Sequence, residues 1–189
     1  KMKYNFILLL FVVFFSCKED TKVVGGAKRY SEILPAADTL YSLSSDENVP
    51  EMSCGYKNSK GDTIIPFGKY MQCFTDTFIH FAIVYDKNNT DSKMVAINQK
   101  DEIIFDVYFY DNGPDYISDG LFRIKRNGKI GYANEKGEIV IEPIYACANP
   151  FENGKAKVAL QCTLTKEGEY TRQESDTWFL IDKNGNKVE

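Results

Sequence analysis

The sequence predicts an all-β protein built from tandem hairpin and meander repeats, and three observations carry that expectation. Four twelve-residue stretches superimpose without a gap: CGYKNSKGDTII from Cys54, MVAINQKDEIIF from Met94, IGYANEKGEIVI from Ile130 and WFLIDKNGNKVE from Trp178. Their fifth residue is Asn58, Asn98, Asn134 or Asp182, and their eighth is Gly61, Asp101, Gly137 or Gly185. An Asx side chain bonds to backbone two residues on, and a residue tolerant of positive φ three later lets the chain re-enter a ladder. From about Met52 onward, apolar and polar residues alternate with the period of a strand, punctuated by Asn-Gly and Lys-Gly.

Taken in chain order, residues 1–16 come first. KMKYNFILLLFVVFFSC opens with two lysines, is apolar from Phe6 to Phe15, and closes on Ser16 and Cys17. At ~1.5 Å per residue that run reaches roughly 15 Å, half of the ~30 Å hydrocarbon layer, so it reads as a signal peptide and not as a membrane span. FFSC resembles the lipobox of bacterial lipoproteins, in which a small residue precedes an acylated cysteine that becomes the mature N-terminus. The resemblance implies lipidation of Cys17 with palmitate-type chains, enough for stable anchoring without any membrane-binding protein surface. An ordinary signal peptide cleaved nearby is the alternative. Lys18-Glu19-Asp20 resembles the acidic tract of exported Gram-negative lipoproteins, and Lys18 is not the aspartate of inner-membrane retention. The expected address is therefore the outer membrane, with the body facing the cell exterior.

Residues 17–50 read as a tether. They are polar, contain Gly25-Gly26 and Ser44-Ser45, and hold at most a turn or two of helix in AKRYSEIL before Pro35. Residues 51–189 then form one repeat domain with units starting near 54, 94, 130 and 178. In the third unit, LFRIKR and KIGYAN flank Asn127-Gly128, which pairs Arg123 with Tyr132 and Ile124 with Gly131. Asn134 to Gly137 turns into EIVIEP, so each unit is a three-stranded meander followed by a loop that ends near an aromatic and a glycine. The unit starts are separated by 40, 36 and 48 residues. The excess lies between Gln161 and Asp176 and reads as the same hairpin lengthened, with its tip at Lys166 to Gly168. An isolated hairpin is marginal in water, so the units must stack to bury their apolar sides.

IGYANEKGEIVIEPIY followed by FENGKAKV resembles the WG-repeat family of bacterial proteins, whose units read roughly W-G-Y-I-D-x-x-G-x-I-V-I-x-P-x-Y, then F-x-x-G and A-x-V. The intact Trp-Gly pair is missing: Trp178 is followed by Phe179, while Gly55 and Gly131 follow Cys54 and Ile130. The resemblance implies an extracytoplasmic β-repeat module and supplies no catalytic residues.

Charge and composition narrow the function classes. Loss of Lys1 and Lys3 with residues 1–16 lowers the net charge from −4 to −6, which argues against a nucleic-acid partner. The one basic cluster, Arg123, Lys125, Arg126 and Lys129, reads as the solvated side of a hairpin. Cys54, Cys73, Cys147 and Cys162 allow three disulfide pairings or four buried thiols, and their spacing suits no zinc site. No cofactor and no metal are expected. His80, the sole histidine and so the only candidate base for a Ser or Cys nucleophile, is read first as a residue on the wetter side of a strand, TFIHFAIV. Asp106, Asp111, Asp115, Asp119, Glu138 and Glu142 are read as turn and surface acids before catalytic pairs. Asp182, Asn184 and Asn186 mimic the start of a calcium loop but lack its glycine and distal glutamate, and the repeat turn already accounts for them.

One segment departs from the pattern. In VYFYDNGPDY, setting Phe105 on Ile141 puts Phe109 on Tyr145, the packing aromatic of the resembled family. Tyr108 and Tyr110 then point to the opposite side, with Tyr116 across the Asn112 to Pro114 turn. These three tyrosines are the candidate binding residues, since aromatics on a rigid strand grip sugar rings or proteins. The functional expectation is a lipid-anchored, non-enzymatic binding or scaffolding module with an unknown glycan or protein partner. The alternative is a glycan-acting hydrolase using a carboxylate pair.

Overall fold

In the computed structural model, residues 38–44, 53–89, 93–168 and 170–188 are described, and among them there are only strands, turns and loops, with no helix. Four antiparallel meanders follow one another. The first is β1 (Leu40–Ser44), β2 (Cys54–Lys57) and β3 (Thr63–Tyr70), followed by the short strands β4 (Gln72–Cys73) and β5 (Thr77–Phe78). The second is β6 (Ala82–Tyr85), β7 (Met94–Ile97) and β8 (Ile103–Val107), followed by the small hairpin β9 (Phe109–Tyr110) and β10 (Gly113–Pro114). The third is β11 (Leu121–Arg126), β12 (Lys129–Asn134) and β13 (Ile139–Tyr145), followed by β14 (Cys147–Ala148). In the fourth, β15 (Lys155–Ala159) is separated from its partners β18 (Phe179–Asp182) and β19 (Lys187–Val188) by an inserted hairpin, β16 (Thr163–Glu167) and β17 (Tyr170–Glu174).

The chain crosses between meanders at the end of each third strand. β4 pairs with β6, Val107 of β8 with Ile124 of β11, and β14 with β15. The second and third meanders thereby share one seven-stranded sheet in the order β13-β12-β11-β8-β7-β6-β4. Three cores fill the spaces along this series. Leu40, Tyr56, Ile65 and Phe78 meet Val84 and Ile97; Phe105 and Val107 meet Phe122 and Ile124; Tyr132, Ile141 and Tyr145 meet Phe151, Val158 and Ile181. Each core draws on consecutive units, which is the stacking that hairpins of this size require.

The repeat turn explains its own sequence. Oδ1 of Asn58, Asn98, Asn134 and Asp182 each accepts the N–H groups two and four residues on, at 2.8–3.0 Å. Gly61, Asp101, Gly137 and Gly185 take φ of 91°, 65°, 76° and 83°. The ninth position also participates. Nδ2 of Asn58, Asn98 and Asn134 donates to the carboxylates of Asp62, Glu102 and Glu138; in the fourth unit Asn186 is the amide and Asp182 the carboxylate, so the same bond runs backwards.

The second position of the repeat governs the third strand. A Cβ on Gly55 would stand 2.4 Å from the carbonyl oxygen of Ile65, and one on Gly131 would stand 2.4 Å from that of Ile141. At both places the facing strand bulges, and its register with the glycine strand shifts. Pro66 and Pro143 lie in these irregular stretches, where a strand tolerates a residue without an N–H.

Sequence expectations are met in the third hairpin, where Arg123 faces Tyr132 and Ile124 faces Gly131 about Asn127 and Gly128, both at positive φ. The inserted hairpin forms its own two-stranded sheet but keeps the register of β15 and β18. Eight steps on from the Lys155↔Asp182 pair, along both strands, lies the Thr163↔Glu174 pair. The cysteines pair as Cys54–Cys73 and Cys147–Cys162, joining β2 to β4 and β14 to the root of β16. Chain-entropy arguments put such closures at about 3 kcal/mol each.

Three expectations need correction. Leu40–Ser44, inside the stretch read as tether, is a strand: β1 covers the edge of β2 that β6, β11 and β15 cover in the later meanders, and Leu40 is buried. LYSLS is short and flanked by polar residues, so its pattern does not announce it. His80 lies in an exposed bend between β5 and β6 and not within a continuous strand. Phe109 is exposed, whereas Tyr145 is buried, because Val95 replaces the glycine of the second position and β8 keeps Val95↔Asp106 and Ala96↔Phe105 without a bulge there. Val107 fills the core in its place. Cys17 and residues 1–37 lie outside the described residues, as do residues 45–50 of the tether.

Candidate functional site

The three candidate tyrosines share one neighbourhood but not one role. Tyr108, directly after β8, is half-buried against the third core, and its hydroxyl accepts a bond from Gln173 Nε2 of β17 at 3.2 Å. Tyr110 and Tyr116 are about half exposed and meet edge to face, with ring centroids 5.6 Å apart. Asp111 and Asn112, at φ of 42° and 67°, make the tight turn that folds Gly113 back onto Tyr110. The geometry therefore yields a two-ring surface platform, with Tyr108 beneath it.

Under the tyrosines sits a residue read from sequence as solvated. Arg123 is buried, and its guanidinium donates twice to the buried Asp115 carboxylate, through Nη2 at 2.6 Å and Nε at 3.0 Å. Its backbone N–H also donates to Asp115, and Nη1 reaches the Ala148 carbonyl. The guanidinium carbon lies 4.1 Å from the Tyr108 ring centre and 5.5 Å from that of Tyr110, a stacked cation–π arrangement. Burial opposes the charge on Arg123, but the Asp115 carboxylate overcomes it and holds its pKa above the ordinary value. A signal for this was present in the sequence. Directly opposed strand residues share a face, so pairing with the inward Tyr132 turns Arg123 inward as well.

Beside the platform runs a groove of about 600 Å³. It is lined by Tyr116 and Ser118, by the loop from Asn149 to Glu152, and by Lys155, Lys157 and Leu180. Its frame is locked by bonds between successive loops: Ser118 Oγ donates to the Phe151 carbonyl at 2.5 Å, and Gly154 N–H donates to Asp119 at 2.7 Å. The Lys157 ammonium lies 5.2 Å from the ring centre of Trp178, the only tryptophan of the chain. A second groove, of about 490 Å³, borders Ile103, Asp106, Lys125 and Arg126. Each groove is lined by a single carboxylate, Glu152 or Asp106.

Three of the other candidate acids are occupied in structure. Glu138 bonds to Asn134, Asp119 to Gly154, and Glu142 faces Arg126 at 3.5 Å. Among the described residues, no three His, Cys, Asp or Glu side chains come together in a way that could hold a metal ion. The groove and platform offer aromatic faces, amide and hydroxyl groups, two ammonium groups and one carboxylate.

These features define a class: an antiparallel β-repeat body whose successive units stack through equivalent turns and loops. Within it, residues 130–160 match the family model described as WG containing repeat, a stretch that spans β12, β13, β14 and β15. No curated protein and no solved structure matches the chain.

Proposed function

We propose that this protein is an outer-membrane lipoprotein, attached through Cys17 and facing outward, whose repeat body is a non-enzymatic binding module. The observation that carries the reading is the exposed Tyr110 and Tyr116 pair, of which Tyr116 lines a groove with a locked frame. Rigid, half-exposed aromatic rings supply contact area at little entropic cost, and a framework of stacked repeats holds them in place. Two disulfides support export, because such bonds persist in oxidising compartments, and they account for every cysteine except Cys17. The hydrolase alternative calls for two carboxylates across one cleft, and neither groove is lined by a pair.

The test has two arms. Metabolic labelling with an alkyne analogue of palmitate should mark the wild type and not Cys17→Ser. A photocrosslinking amino acid at position 110 should give, in intact cells, a discrete adduct that Tyr116→Ser diminishes. Absence of label together with absence of any adduct would overturn the reading. Glycan cleavage that Glu152→Gln abolishes would replace it with the hydrolase.

A further inference from the structure

The third and fourth meanders treat one repeat position in opposite ways. Arg123 of β11 and Lys157 of β15 are equivalent: each follows a loop whose residues pair in the same way, Ser118↔Leu121 and Glu152↔Lys155, with positive φ at Asp119-Gly120 and Asn153-Gly154. Arg123 faces Tyr132 across its hairpin, and Lys157 faces Leu180. Eight residues before Arg123 stands Asp115, which neutralises it; eight before Lys157 stands Asn149, which carries no charge. Arg123 is buried under Tyr108, whereas Lys157 is exposed in the groove wall against Trp178, and no carboxylate among the described residues pairs with it.

From this contrast we propose that the groove takes a carboxylate-bearing saccharide, a uronic-acid type of ring. The ring would stack its apolar face on Tyr116 while the carboxylate meets Lys157, with the Asn149 amide available to hydroxyls. This rests on the binding-module reading and names the ligand class for it. Charge complementarity favours an anion here, although the exported chain is acidic as a whole. A cavity of about 600 Å³ lies within the range of small-ligand sites. An acidic peptide would satisfy the lysine but would make little use of the aromatic face, so the saccharide uses more of what the groove presents.

Trp178 gives a direct readout, since it is the sole tryptophan and Lys157 lies against it. The full chain is titrated with trigalacturonate, with its methyl ester, and with a hexaglutamate peptide, following tryptophan emission and, for Lys157 variants, calorimetry. Trigalacturonate should shift the emission saturably and lose affinity as salt rises. The ester and the peptide should each bind about tenfold more weakly or not at all, as expected for loss of a charge-assisted bond or of ring stacking. Asn149→Asp copies into the fourth meander the acid that neutralises Arg123 in the third. It should abolish binding with no change in melting temperature, because position 149 is exposed. Lys157→Gln and Tyr116→Ser should act alike.

Equal binding of the ester overturns the charge requirement, and equal binding of the peptide overturns the saccharide. No response to any of the three probes overturns the inference as a whole. If the position 110 adduct in intact cells survives that outcome, the binding module stands and only its ligand class falls; if it too is absent, both fall.

Discussion

The second and third meanders share a turn, a hairpin and a register of repeats, yet their third strands take different paths. In the third, Gly131 lets the carbonyls of β13 close over the backbone of β12, the strand bulges at Pro143, and Tyr145 is delivered to the core. In the second, Val95 forbids that approach, β8 keeps its register across Val95 and Ala96 and shifts only beyond them, and Val107 takes the buried place. The residues that follow are then free. Tyr108 folds in over Arg123, while Phe109, Tyr110 and Tyr116 reach the surface. One side chain at the second position of the repeat thus decides whether the following segment is packing or display.

The largest test of that lesson is to give the third meander the second one's residue. In Gly131→Val the new Cβ meets the Ile141 oxygen at 2.4 Å and the Pro143 nitrogen at 2.6 Å, both backbone atoms that cannot swing aside. A loss above about 4 kcal/mol is expected, a large share of the ~5–15 kcal/mol of an ordinary domain. Thermal melting should show a steep fall or no cooperative transition at all. An unchanged melt would mean that the bulge is incidental.

Next in size is the ion pair beneath the display segment. Arg123→Met strands a buried Asp115 carboxylate and should cost about 3 kcal/mol, whereas Arg123→Met with Asp115→Leu should recover most of that loss. Denaturant melts of the two single variants and the double variant measure the coupling directly. If the singles prove mild, the tyrosines and not the ion pair hold the segment in place.

The turns and the third hairpin were legible because their signals are local: an Asx side chain, a glycine and an Asn-Gly dipeptide act within four residues of themselves. The site was legible only in part. Tyr110 and Tyr116 announced themselves as aromatics without a packing role. Arg123 was masked by its charge, although its partner Tyr132 pointed inward. Lys157, Asn149 and Trp178 come together only when two loops and two strands stack, a long-range event that periodicity does not encode. β1 was hidden for a similar reason, since its only requirement is to fill the vacant edge of β2.

A smaller effect compares the two meanders that keep the Gly-Tyr pair. Tyr56 and Tyr132 donate their hydroxyls to the carbonyls of Thr75 and Asn149, and each meets a phenylalanine edge to face. Tyr132→Phe removes one such bond and should cost about 1 kcal/mol. Burial, chiefly, raises the pKa of the core tyrosines Tyr56, Tyr70, Tyr132 and Tyr145, with Tyr70 pushed up to about 12. Because these folded values exceed the ordinary tyrosine value of 10.0, the stabilisation is complete below pH 10 and is lost as pH rises through the folded values. Absorbance at the tyrosinate band should therefore lag behind exposed tyrosines and rise together with unfolding. Early titration of these hydroxyls would contradict their burial.

The smallest effect tests whether the fourth unit's reversed turn is equivalent to the others. Asn134→Asp alone sets a second carboxylate against Glu138, where an amide now donates at 2.8 Å, and should cost about 1 kcal/mol at neutral pH. That loss should shrink on acidification, as one of the two carboxyls protonates. Adding Glu138→Gln restores donor and acceptor in the order that Asp182 and Asn186 use, and stability should return to within about 0.5 kcal/mol of wild type. In the native fourth turn, the Asn186 side chain first, with the Asn186 and Asn184 backbone, holds the Asp182 carboxyl below the ordinary aspartate value of 3.8. The bond is therefore present above that value and is lost as pH falls through the lower folded one, so the amide resonances of residues 184 and 186 should move only in strong acid. If the double variant stays as weak as the single, the order of amide and carboxylate matters in itself, and the fourth turn is a distinct design and not a mirror of the third.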